Sequence, residues 1–195
     1  MKIAVFASGK GTNFEAIVRG VQTNQIPGTI ALLFCDQPNA KVIERGNAHN
    51  IPTIVIEKKP REGKKEYEAR IVAELRERGV ELIVLAGYMK ILGDTLLSAF
   101  PKKILNIHPS LLPLFPGKQG IVDAYNAGVE ETGITIHVVD RGIDTGPIIF
   151  QQSIPCNKGI SLAELEHQIH ALEHQHYPKI IGDYITKECR IDGEE

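Results

Sequence analysis

Apolar residues in the first third of the chain fall into short unbroken runs, separated by stretches in which they recur at helical spacing. Ile3-Ala4-Val5-Phe6-Ala7 is one such run. The polar Ser8-Gly9-Lys10-Gly11-Thr12-Asn13 follows, and then Phe14, Ile17, Val18 and Val21 lie on one helical face. This predicts a buried strand, a tight loop and an amphipathic helix. The alternation then repeats. Thr29 to Cys35 reads as a second strand, stopped by Asp36-Gln37-Pro38-Asn39, with a helix from Ala40 to His49. Thr53 to Ile56 reads as a third strand, and the charged turn Lys58 to Lys64 leads to a helix that ends at Arg78-Gly79. Leu82 to Ala86 is the fourth strand, with Gly87 to Leu92 as its exit loop. Asp94 is placed to cap a short helix that stops before Pro101.

From Ile104 a fifth strand runs into Asn106-Ile107-His108 and a proline-rich loop, Pro109 to Pro116, where regular structure is forbidden. A helix over Ile121 to Asn126 precedes strand six, Thr135 to Val139. The glycine-bearing loop Asp140 to Gly146 and strand seven, Ile148 to Gln152, come next. Ser161 and Glu164 have the spacing of a capping box and open a long helix running to about Gln175. After Pro178 a last helix reaches Lys187, and Asp192-Gly193-Glu194-Glu195 is expected to fray. Strands alternating with helices predict an α/β fold: a doubly wound, mostly parallel seven-stranded sheet with helices on both faces. Neither a repeat nor a linker interrupts the chain, so residues 1–195 are expected to form a single domain.

Composition narrows the function classes. A formal charge of −2 argues against general affinity for nucleic acid or an anionic membrane, which needs a basic excess. There is no apolar run of membrane-spanning length, and the amino terminus lacks the apolar region of a signal peptide. Cys35, Cys156 and Cys189 are odd in number and far apart, which points to reduced thiols in a cytoplasmic protein.

The sharpest candidate site is the end of strand five. Side chains two apart on a strand share a face, so Asn106 and His108 would meet one spot at the edge where open α/β sheets bind ligands. Asp144, between glycines in a short loop, is the natural third member, although spacing alone does not bring it to His108. The loop Ser8 to Asn13 suits a phosphate at a helix amino terminus, or else a plain tight turn. It departs from the dinucleotide and P-loop patterns, so neither a nicotinamide cofactor nor ATP is indicated. His167, His170 and His174 share a helical face without the ligands that complete a metal motif, and the expectation is no metal. The basic turn Lys58 to Lys65 reads as a solvated loop or as a contact for an acidic substrate tail.

Taken together, Ile3 to Gly9 with Gly11-Thr12-Asn13, Ala86-Gly87-Tyr88-Met89, Asn106 to Pro113 with Phe115-Pro116-Gly117, Asp140 to Pro147, and Glu173-His174 resemble the folate-dependent phosphoribosylglycinamide formyltransferases. The resemblance covers almost the whole chain. It implies formyl transfer from 10-formyltetrahydrofolate to the glycine amine of 5-phosphoribosylglycinamide (GAR), in purine synthesis, by a monomer or homodimer acting on small molecules. It also implies roles: Gly11, Thr12, Asn13 and Glu173 would hold GAR. Met89, Lys90, Ile91, Leu92, Val139 and Asp140 to Asp144 would enclose the folate pterin, with Lys64 near the folate tail. Asn106, His108 and Asp144 would be the catalytic trio. The chain departs from many relatives at Lys118-Gln119-Gly120, where a histidine is common, and at Lys64 and Lys90, where arginine is common. Lysine there keeps the charge but lacks the planar fork of arginine. Alternatives are another formyl-folate-dependent transferase, a formyl-folate hydrolase, or a nucleotide-binding regulatory module without chemistry.

Overall fold

In the computed structural model, the backbone of residues 1–191 and the side chains of residues 1–188 are described; the tail expected to fray and the Cys189 thiol lie outside them. The element order is β1 (Lys2–Ala7), α1 (Thr12–Gln22), β2 (Thr29–Cys35), α2 (Val42–Ala48), β3 (Thr53–Val55), α3 (Lys64–Glu77) and β4 (Leu82–Leu85). It continues with α4 (Asp94–Ala99), β5 (Ile104–His108), α5 (Gly120–Ala127), β6 (Glu131–Val138), β7 (Ile148–Pro155) and α6 (Leu162–Ile191). The strands form one seven-stranded sheet in the order β3-β2-β1-β4-β5-β6-β7. The pairings from β3 through β5 are parallel, while β6 pairs antiparallel with both β5 and β7. The expected doubly wound architecture is borne out.

Strand periodicity divides the core into two layers. In β1, Ile3, Val5 and Ala7 pack with Phe14 and Ile17 of α1 and with Ile169, Tyr177 and Ile181 of α6. The alternate residues Ala4 and Phe6 pack on the opposite face with Tyr67, Ile71 and Leu75 of α3 and Leu96 of α4. Because both faces are covered, the strand reads as a continuous apolar run. Each fully buried Ile, Val or Phe contributes about 1.5–3 kcal/mol through lost water contact. Phe6 also lies 4.5 Å from Phe34 and 5.4 Å from Tyr88 between ring centroids, which carries the core up to the start of the β4 exit loop.

Two local expectations are corrected. The last long helix does not break at Pro178: α6 is continuous over Leu162–Ile191. Pro178 forgoes one backbone hydrogen bond, but the apolar face that includes Ile169, Tyr177, Ile180, Ile181 and Ile185 stays buried on both sides of it, and that burial offsets the lost bond. Asp94 does not cap α4. Gly93 is the N-cap, and the free amides of Gly93 and Leu96 donate to the buried Glu68 carboxylate at 2.6 and 3.3 Å, while Asp94 meets the exposed Arg141. Only half of the capping box at Ser161 forms: the Glu164 amide donates to Ser161 Oγ, and the Glu164 carboxylate turns to Gln168. Strands six and seven are longer than their apolar cores suggested, because pairing with each other extends them from Glu131 and to Pro155.

Candidate active site

The connections that follow β1, β4 and β5, together with the one between β6 and β7, open on one cavity of about 620 Å³, a volume suited to a small-molecule ligand. β1 leads into it through Gly9 and Lys10. Gly11 is the N-cap of α1 with φ 77°, and no side chain caps the first amides of that helix, which leaves them available to an anion. A Cβ on Gly11 would come within 2.5 Å of Val42, so both its backbone angle and its surroundings require glycine.

At this end of the cavity Asn13 Nδ2 donates to Glu173 Oε2 at 3.0 Å, and His170 Nδ1 meets the same oxygen at 2.9 Å. Glu173 is only 4% exposed. Its hydrogen bond to His170 raises the imidazole pKa, against the opposing effect of burial. Asn13 Oδ1 is buried without a partner, an acceptor facing no protein donor.

The centre of the cavity is built by β5 and β6. Asn106 and His108 both line it, as their two-residue spacing requires. Antiparallel pairing places His137 of β6 opposite Asn106, and Asn106 Nδ2 lies 3.2 Å from His137 Nε2. Asp144, which adopts φ 55° in the β6–β7 connection, reaches both histidines. Its Oδ2 is 3.4 Å from His108 Nδ1 and accepts from the Gly117 amide at 2.8 Å, and its Oδ1 is 3.6 Å from His137 Nε2. Burial alone would raise the Asp144 pKa. The His137 imidazole, the Gly117 amide and the charge of His108 outweigh it and hold the carboxyl below its usual range.

His108 itself is 3% exposed, and its Nε2 donates to the Phe115 carbonyl at 2.7 Å. Both ring nitrogens therefore face oxygen atoms, the Phe115 carbonyl at Nε2 and the Asp144 carboxylate at Nδ1. Gly120 closes this contact, since a Cβ there would lie 3.0 Å from His108 Nε2.

The proline-rich loop keeps its shape through polar anchors. Thr135 Oγ1 donates to the Ser110 carbonyl and accepts from the Leu112 amide, and Gln151 Nε2 bonds both Thr135 Oγ1 and the Leu112 carbonyl. Ser110 Oγ donates to the Leu114 carbonyl at 2.6 Å and approaches the Phe115 carbonyl at 3.2 Å.

The third wall consists of Met89 to Leu92 from the β4 exit loop, with Val139, Asp140 and Ile143 from the β6–β7 connection. Met89, Ile91 and Ile143 are exposed there, an apolar mouth beside polar walls. Apart from Lys64, the residues expected to bind or react come together around this one space. Lys64 starts α3 and does not line it; its side chain packs near Gly93, just beyond the loop.

His137 is the member that sequence reasoning missed. Its signal was a polar residue at every second position of an otherwise apolar strand, Thr135-Ile136-His137. Cys35 and Cys156 are free thiols away from the cavity. Among the described residues, no group of three or more His, Cys, Asp or Glu side chains is placed to hold a metal, and no helix is long and apolar enough to cross a membrane.

A doubly wound sheet that gathers an amide, imidazoles and a carboxylate around the carboxyl end of β5, beside an anion-ready helix terminus, has the build of an α/β protein that binds and acts on a small molecule. Residues 1–181 match the family model described as formyl transferase, and the chain belongs to that family. It is 52% identical over 180 residues to the phosphoribosylglycinamide formyltransferase of Bacillus subtilis, covering 92% of each chain. The crystal structure of the enzyme of that name from Bacillus halodurans superposes with a TM-score of 0.93 at 45% identity, over 96% of this chain and 97% of the other. Glycinamide ribonucleotide transformylase 1 from Geobacillus kaustophilus superposes with a TM-score of 0.91 at 50% identity, over 94% and 97%.

Proposed function

We propose that this single-domain cytoplasmic protein transfers the formyl group of 10-formyltetrahydrofolate to the glycine amine of GAR, giving formyl-GAR and tetrahydrofolate in purine synthesis. The observation that carries the reading is the position of Asn106, His108 and Asp144. They lie between an anion-ready end, formed by Gly11, Thr12, Asn13 and Glu173, and a partly apolar end, formed by Met89 to Leu92 and Val139 to Ile143. A phosphorylated ribose suits the first, where the buried Asn13 and Glu173 oxygens can accept from its hydroxyls. A flat pterin suits the second.

The neutral amine attacks the formyl carbon, the new C–N bond forms, and charge develops on the formyl oxygen. Asn106 has a second amide hydrogen free of His137 to donate there. His108 donates by exchanging the Phe115 carbonyl for that oxygen, and Asp144, 3.4 Å from its Nδ1, fixes the orientation of the ring. The bond to N10 of the folate then breaks, and the proton shed by the amine ends on that nitrogen.

The test is formyl loss from 10-formyltetrahydrofolate by the purified protein, with and without GAR. Loss that depends on GAR is expected. Asn106→Ala and His108→Ala should each lower kcat by roughly 10²–10³ while moving substrate KM little, the scale for losing one preorganised oxyanion donor. Loss to water alone would replace the transferase reading by a hydrolase. Wild-type turnover in either variant would remove that residue from the trio.

A further inference from the structure

The β4 exit loop is held by a carboxylate that the cavity does not contain. Asp36 follows β2, its side chain is 1% exposed, and it does not line the cavity. Ser8 Oγ donates to Asp36 Oδ1 at 2.6 Å, and the same hydroxyl accepts from the Met89 amide at 3.0 Å. Gln37 Nε2 donates to Asp36 Oδ2 at 3.0 Å, and the Lys90 ammonium stands 3.2 Å from that oxygen. One buried carboxylate thus fixes the backbone of Met89 through Ser8 and the side chain of Lys90 directly.

Lys90 is further committed to this inner position. Its Nζ donates to the Tyr67 hydroxyl at 3.3 Å and lies 4.7 Å from the centre of that ring. Burial opposes the charge on both groups, yet hydrogen bonds outweigh it: those from Ser8, Gln37 and Lys90 lower the Asp36 pKa, and those to Tyr67 and Asp36 raise the Lys90 pKa. The far end of the loop is pinned separately by Glu68, which accepts from the Gly93 and Leu96 amides. The near end depends on Asp36. A buried carboxylate without partners would be strongly unfavourable, so this one is built around its donors and they around it.

We propose that Asp36 is a positioning residue for the formyl-folate co-substrate, setting the Gly87–Leu92 loop through Ser8 and Lys90 without touching the ligand. This inference rests on the transferase reading. It predicts an effect weighted to one of the two substrates: Ser8 opens the β1–α1 loop, but its hydroxyl is taken by Asp36 and the Met89 amide, and the GAR end of the cavity is lined from Gly9 onward.

Asp36→Asn keeps the shape but turns an amide donor toward Lys90 or Ser8, releasing the ammonium. Ser8→Ala removes the bridge to the Met89 amide. Each variant should raise KM for 10-formyltetrahydrofolate about tenfold, the scale of one charge-assisted contact, and Asp36→Asn should leave kcat and KM for GAR within about twofold of wild type. Asp36→Asn combined with Lys90→Met should be no worse than the poorer single variant, since both cut the same link.

An unchanged folate KM in both single variants would overturn the proposal. So would parallel rises in both KM values, or a loss of kcat that tracks a loss of folded protein, which would mark a merely structural role. Should Asp36→Asn fail to fold, Ser8→Ala decides alone. Wild-type protein without GAR-dependent turnover removes both readings, because the loop would then have no folate to receive. Wild-type turnover with unmoved variants removes only the role of Asp36.

Discussion

Asn106 and His137 are held 3.2 Å apart by the antiparallel register of β5 and β6, which places their backbones directly opposite each other. The other ring nitrogen of His137 meets the Val138 carbonyl at 3.1 Å, which holds the ring with Nε2 toward Asn106 and Asp144. The carboxamide of Asn106 is therefore oriented by a residue 31 positions away, with its nitrogen inward and one hydrogen still free.

His137→Leu should release that orientation without removing the Asn106 donor. Turnover is expected to fall by roughly tenfold, less than the 10²–10³ expected for Asn106→Ala, with little change in either KM. Steady-state kinetics on the two variants and their combination would check this. Wild-type kcat in His137→Leu would mean that the amide is oriented by something else.

Asp144 supplies a stability that depends on acid. Its carboxyl titrates lower in the folded chain than in the unfolded one, so between the two values the unfolded chain binds more protons. The stabilisation is complete above the unfolded value near about pH 4 and is lost as pH falls through the folded one. The Tm gap between wild type and Asp144→Asn should therefore be steady from about pH 7 to about pH 5 and shrink below that. Calorimetry across this range decides it, and a gap that widens in acid would reverse the sign.

Tyr177 ties α6 to the sheet beneath the site. Its fully buried hydroxyl donates to the Leu85 carbonyl at 2.8 Å and approaches the Leu105 carbonyl at 3.3 Å. Tyr177→Phe strands these acceptors in an apolar layer and should cost about 1–3 kcal/mol. For a chain of this length each kcal/mol lowers Tm by roughly 2–4 °C. The activity of the folded fraction should persist, since the ring still fills its place. Thermal unfolding together with specific activity tests both halves.

The sequence by itself determined the layered architecture. Unbroken apolar runs and helical spacing are local consequences of burial on two faces or one, and Ile3 to Ala7, Thr29 to Cys35 and Ile104 to His108 could be read directly as strands. It also placed Asn106 and His108 on one face, because strand geometry has a period of two.

Where local rules met tertiary contacts, the contacts prevailed. Pro178 ends a helix by propensity, yet α6 continues because its apolar face is buried on both sides of the proline. Asp94 looked like a cap, yet Glu68 of another helix satisfied the same amides. The meeting of His108 with Asp144, the pairing of Asn106 with His137, and the hold of Asp36 on the Met89 amide and Lys90 join residues far apart in sequence. Only the tertiary structure decided these, because sheet register and loop closure bring such residues together and neither leaves a periodic mark on the chain.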